Sequence, residues 1–73
     1  MSVYEKPDRK SYSDADGNTY RVERASNGMS VCVRINSGMN RKMFRQIDPQ
    51  RSELPVQHSL DVVAAEKGWR EVK

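Results

Sequence analysis

Hydrophobic and polar positions alternate through residues 29–36. Met29, Val31, Val33 and Ile35 fall on one face, and Ser30, Cys32, Arg34 and Asn36 on the other. This period of two predicts a half-buried β-strand. Residues 19–25 alternate in the same way, with Tyr20 and Val22 opposed to Arg21 and Glu23. Asn27-Gly28 stands between the two runs, and predicts a hairpin closed by a two-residue type I′ turn. That turn sets a register, with Ser26 opposite Met29, Val22 opposite Val33 and Tyr20 opposite Ile35. Apolar residues then meet apolar residues, so turn chemistry and pattern agree. On the other face Glu23 meets Cys32 and Arg21 meets Arg34. Two arginines in direct opposition repel, and an anion bound between them would relieve the conflict.

A second turn, Ser37-Gly38-Met39-Asn40, leads to a third strand over residues 41–47 whose register stays open. An even loop puts Phe44 in the core and leaves Met43 and Arg45 on the open face. An odd loop buries Met43 and Ile47 and exposes Lys42 and Phe44. The shortage of large core residues favours Phe44 inside. Upstream, Tyr12 starts a short strand, and Asp14-Ala15-Asp16-Gly17-Asn18 is a turn. Residues 1–11 are polar, lack periodicity and contain Pro7; they read as a flexible arm with Tyr4 as an anchoring aromatic. Residues 12–73 form a single domain.

Downstream, Asp48-Pro49 reads as a cap and first-turn proline, giving one helical turn that Pro55 stops. Ser59 then caps the main helix over residues 60–67, with Leu60, Val63 and Ala64 as its apolar stripe. Gly68 ends it, and Trp69 folds back on Ala64 as a plug for the core. Glu71-Val72 supplies a candidate edge strand. The expected fold is therefore α+β: a three-stranded antiparallel β-meander, or four strands with that edge, and one C-terminal α-helix packed on one face.

Composition adds a partner class. Residues 19–47 hold six Arg or Lys and one acid, whereas residues 1–18 hold three basic and four acidic side chains, and residues 48–73 four and five. The formal net charge of +3 is thus a local basic field on the predicted sheet, the footprint of a polyanion partner. Arg21 and Arg34 are the central candidates, with Arg41, Lys42 and Arg45 on the flank. Guanidinium forks suit phosphate oxygens and guanine edges. DNA is the expected partner, with RNA not excluded.

Catalytic chemistry has little support. One cysteine and one histidine among 73 residues allow neither an internal disulfide nor the usual four-ligand zinc site. Asp14-x-Asp16-x-Asn18 resembles the start of a calcium loop, but Thr19 replaces the required glycine and Ala25 the bidentate glutamate. Cys32 and His58 lack an orienting third group; Cys32 reads as a small half-buried side chain and His58 as a loop or cap residue. There is no phosphate loop and no useful pair of acids. The expectation is a protein that is not an enzyme and takes no cofactor, metal or small-molecule substrate. No apolar run spans a membrane and no signal peptide follows Met1, so the expected location is cytoplasmic. Met29 and Met43 read as core residues or chance neighbours rather than as an adaptable interface, and Met39, beside Gly38, as exposed.

Met29-Ser30-Val31-Cys32-Val33-Arg34-Ile35-Asn36 resembles the central strand of the arm-type DNA-binding domains of mobile-element integrases and the related plant ethylene-response domains. Asn40-Arg41-Lys42-Met43-Phe44 resembles their third strand, and residues 59–68 their supporting helix. Here, however, residues 48–58 intervene where the family passes quickly from strand to helix. The resemblance implies a sheet laid in the major groove, with Arg34, Arg41 and Lys42 facing DNA and Arg21 joining them from the first strand. A second class of function fits the chain's brevity: a small inhibitor or adaptor, of the kind phages and mobile elements encode, that docks on a protein such as a nucleic-acid enzyme.

Overall fold

The computed structural model describes residues 10–72. The strands are β1 (Ser11–Ser13), β2 (Thr19–Arg24), β3 (Ser30–Ile35), β4 (Arg41–Met43) and β5 (Arg70–Val72), and α1 (Glu53–Lys67) lies between β4 and β5. The fold is α+β. The sheet has five strands in the order β4-β3-β2-β1-β5, every neighbouring pair antiparallel. Two strands beyond the expected three come from the ends of the domain, and β5 pairs with β1. The expected arm falls on residues 1–9, outside the described residues, and on Lys10 and Ser11; Ser11 already belongs to β1.

The first hairpin departs from its expected register by one residue. Val22 pairs with Cys32, Arg21 with Val33 and Tyr20 with Arg34, so Arg21 does not oppose Arg34. The loop has three residues: Ala25 N–H donates to Met29 O at 2.7 Å and Gly28 N–H to Ala25 O at 3.0 Å. A type I′ turn would need positive φ at Asn27, but there only Gly28 is left-handed, at φ 84°. The chain uses a type I turn closed by a glycine bulge, which adds a residue and flips one strand relative to the other.

That flip decides what lies under the helix. Ser30 and Cys32 point into the core with Tyr20 and Val22, while Val31 and Val33, themselves buried, share the opposite, open face with Ile35, Thr19, Arg21 and Glu23. Cys32 is thus not on the open face, and its thiol and Ser30 are fully buried. The helix lies over β2 and β3. Small side chains at 30 and 32 let Val56 and Leu60, both fully buried, sit close to the sheet.

Phe44 does reach the core and Met43 stays exposed, but through the odd loop and not the even one: Val33 pairs with Met43, and the flipped faces of β3 turn Phe44 inward. Ile47 is buried as well, because β4 ends at Met43 rather than running to residue 47 and the chain turns at once, Ile47 N–H meeting Phe44 O at 3.4 Å. Gln50 then exchanges backbone hydrogen bonds with Ser30 at 2.7 and 3.0 Å, extending the sheet edge. The helix also begins earlier than expected. Ser52 is its N-cap and Pro55 lies within its first turn, where a missing N–H breaks no intrahelical bond; Ser59 is an interior residue. The C-terminal end follows the expectation: Gly68 is left-handed and Trp69 N–H donates to Ala64 O at 2.9 Å.

Candidate nucleic-acid interface

The cations divide by strand parity. Arg21 and Arg41 lie on the open face, where they share one carboxylate: Arg21 Nε donates to Glu23 Oε2 at 2.7 Å and Arg41 Nη1 approaches Glu23 Oε1 at 3.3 Å. This trio carries a net charge of only +1. Arg24 is drawn toward Glu53 at 3.6 Å, linking β2 to the start of α1.

Arg34 and Lys42 form a second basic pair. They are directly opposite each other on β3 and β4, both exposed, and neither makes an ion pair among the described residues. They lie on the helix side, beside Tyr20, which is Arg34's partner on β2. Arg45 is exposed in the turn after β4. The like-charge opposition expected of Arg21 and Arg34 therefore exists between different residues. The structure brings Arg34, Arg41, Lys42 and Arg45 together on the β3–β4 hairpin and its exit, and leaves Arg21 one strand inward. The role of Glu23 was missed from the alternation alone. Its sign was legible, since Arg21 and Glu23 two apart on a strand share a face; the reach of Arg41 across β3 was not.

The three hairpin loops are built alike. Asp14, Ala25 and Asn36 each receive the backbone N–H from three residues ahead, at 3.3, 3.0 and 2.9 Å, and each donates to the carbonyl four ahead, at 3.1, 2.7 and 3.0 Å. The residue third from the start is left-handed in every case: Gly17 at φ 87°, Gly28 at φ 84° and Met39 at φ 65°. Asn36 Oδ1 further fixes its loop by accepting from Gly38 N–H at 2.9 Å and Asn40 N–H at 3.0 Å.

Behind the basic hairpin an aromatic cluster holds the helix end to the sheet. Trp69 stacks on Tyr20 with centroids 3.8 Å apart and planes 7° apart, and Phe44 meets both rings edge-on. Tyr20 donates its hydroxyl proton to Asp14 Oδ2 at 2.7 Å. Asp14 is no calcium ligand here: its Oδ1 accepts from the N–H groups of Asp16 and Asn18, both at 2.9 Å, and its Oδ2 from Asn18 Nδ2 at 3.0 Å. Partial burial pushes its carboxyl up, but these hydrogen bonds outweigh that and hold it at about 2. Tyr20 is raised to about 12 by burial and by its bond to Asp14, with the Arg34 charge opposing. Tyr12 is also raised to about 12, by burial and by its bond to Asp61, 2.7 Å away.

Cys32 is raised to about 12 by burial, and His58 is exposed on the helix, so no thiolate is available at neutral pH. The native protein is expected to resist iodoacetamide at neutral pH and to be alkylated at Cys32 once unfolded in denaturant, as mass spectrometry would read. Rapid native alkylation would mean that the β3–helix layer opens. Among the described residues no group of His, Cys, Asp and Glu could hold a metal ion, and no helix is long and apolar enough to cross a membrane. No protein family, curated protein or solved structure matches this chain.

Proposed function

We propose that this protein binds duplex DNA through the β3–β4 hairpin, with Arg34 and Lys42 as the principal phosphate contacts and Arg41 and Arg45 beside them. The observation that carries the reading is the Arg34–Lys42 opposition, in which neither side chain makes an ion pair among the described residues. Adjacent like charges cost a few tenths of a kcal/mol in a bare sheet, and a phosphate between them removes that cost. Sheet width favours the hairpin over the whole face. Five strands span four spacings, about 19 Å, whereas the major groove is about 12 Å wide and takes a two-stranded ribbon. Arg21 has a lesser role because Glu23 holds its guanidinium more closely than that of Arg41, at 2.7 against 3.3 Å.

Four phosphate contacts predict a slope of about −3.6 for log affinity against log salt, roughly a hundredfold loss between 50 and 200 mM. Fluorescence anisotropy with a labelled duplex measures it. Replacing Arg34 and Lys42 together with alanine should lower the slope by about 2, and Arg21→Ala should leave it nearly unchanged. Absence of duplex binding at 50 mM salt, or an unaltered slope in the double variant, rejects the reading.

A second reading, docking on a protein, draws on the outer side of α1. There Leu54 and Val62 are exposed, and Pro55, Val62 and Val63 face Ile47 across a shallow groove. Loss of a protein partner on Val62→Asp, with duplex binding absent, would favour it.

A further inference from the structure

Met39 occupies the one loop position where this fold otherwise places glycine. The β1–β2, β2–β3 and β3–β4 loops share one hydrogen-bonding pattern, and their left-handed residues are Gly17, Gly28 and Met39. A left-handed conformation is strained for a side chain with a Cβ and free for glycine. Gly38 stands next door and does not take the position. The strained residue carries a large apolar side chain that is 79% exposed, the most exposed of the large hydrophobics among the described residues. The loop that presents it is locked by two hydrogen bonds to Asn36 Oδ1, as the β1–β2 loop is by two to Asp14 Oδ1. Both strands leading to it carry cations: the first pair below the loop is Ile35–Arg41 and the second Arg34–Lys42.

We infer that the β3–β4 hairpin is a wedge: Met39 enters between two stacked base pairs of duplex DNA and kinks it, while Arg34, Arg41 and Lys42 hold the phosphates on either side. This deepens the reading above and rests on it. In minor-groove proteins, apolar side chains unstack base steps in this way and bend the duplex by roughly 20–90°; the hairpin tip would make the same insertion from the major-groove side. Lys42 lies about two residues from the loop, roughly 7 Å along the strand, close enough to meet phosphates flanking the opened step. A locked loop matters because a mobile methionine would lose on ordering what it gained on insertion.

The test uses the full chain and a short duplex labelled at both ends for resonance energy transfer. Saturating protein should shorten the end-to-end distance. Met39→Ala and Met39→Gly should abolish the shortening and weaken binding about tenfold, because the unstacked step is no longer filled; Met39→Leu should retain both. A duplex with a central mismatch is already partly unstacked and should bind the natural chain about tenfold better than a matched one, a preference that Met39→Ala removes. Met39→Gly restores the residue type found in the other two loops, so the fold persists and thermal stability should be equal or higher. A bound duplex that stays straight, or that Met39→Ala bends equally, overturns the wedge and leaves phosphate binding standing. Failure to bind any duplex at low salt overturns the reading beneath it.

Discussion

Trp69→Ala is expected to destabilise the protein by about 3 kcal/mol, the lower part of the range for removing a packed Trp. The ring is only half-buried, but it is the contact that closes the domain. It stacks on Tyr20 and meets the edge of Phe44, joining the helix end to β2 and to the residue after β4. It also precedes β5, whose pairing with β1 completes the sheet. A chain of 73 residues has roughly 4–11 kcal/mol of stability in total, so this loss is a large fraction. Urea unfolding followed by far-ultraviolet circular dichroism reads it, and thermal unfolding should show a fall in melting temperature of about 12–24 °C. Trp69→Phe should recover most of the loss. A change below 1 kcal/mol for the alanine variant would mean that the stack adds nothing beyond what Tyr20 and Phe44 achieve alone.

Asp14→Ala should cost about 3 kcal/mol by a different route. The carboxylate closes the β1–β2 loop through two backbone N–H groups and accepts the Tyr20 hydroxyl proton. Tyr20 is 4% exposed, so removing the acceptor strands a buried donor. The double variant Asp14→Ala with Tyr20→Phe should therefore lose less than the sum of the two changes, because no orphaned hydroxyl remains.

The same carboxylate makes stability depend on acid. Its folded pKa of about 2 lies below the unfolded value of about 3.9. The unfolded state then binds the proton first as pH falls. The stabilisation is complete above the unfolded pKa and is lost between about pH 4 and pH 2. Asp14→Asn keeps an acceptor for the loop without the charge, so it should be less stable than the natural chain at neutral pH. The gap should narrow toward pH 2 in urea titrations. A gap independent of pH would place the acid sensitivity elsewhere.

The alternation of residues 19–24 and 30–35, the Asp14–Asn18 loop, the left-handed Gly68 and the apolar residues at 60 and 64 all express local chemistry. Period, turn residues and caps act over a few positions, so the two long strands, the C-terminal end of the helix and the α+β class could be read directly. Pro55 hides the helix start, because a proline in a first turn and one that stops a helix look alike until the N-cap is placed. The faces of β3 are hidden more deeply. Both registers of the first hairpin satisfy alternation: one buries Val31 and Val33 under the helix, the other Ser30 and Cys32. Asn27-Gly28 permits a two-residue or a three-residue loop, and nothing within the hairpin chooses between them. The choice belongs to the helix, which packs on two strands at once and comes closest over small side chains.

The candidate site followed that choice. That residues 19–47 are basic is a property of the chain, and so is the proximity in sequence of Arg41, Lys42 and Arg45. A one-residue slip moves every side chain of a strand to the opposite face. It separated Arg21 from Arg34 and brought Arg41 onto the face of Glu23, while the β3–β4 loop set Arg34 against Lys42. Local sequence determined how many cations the sheet carries; long-range packing decided which of them stand together and which share Glu23.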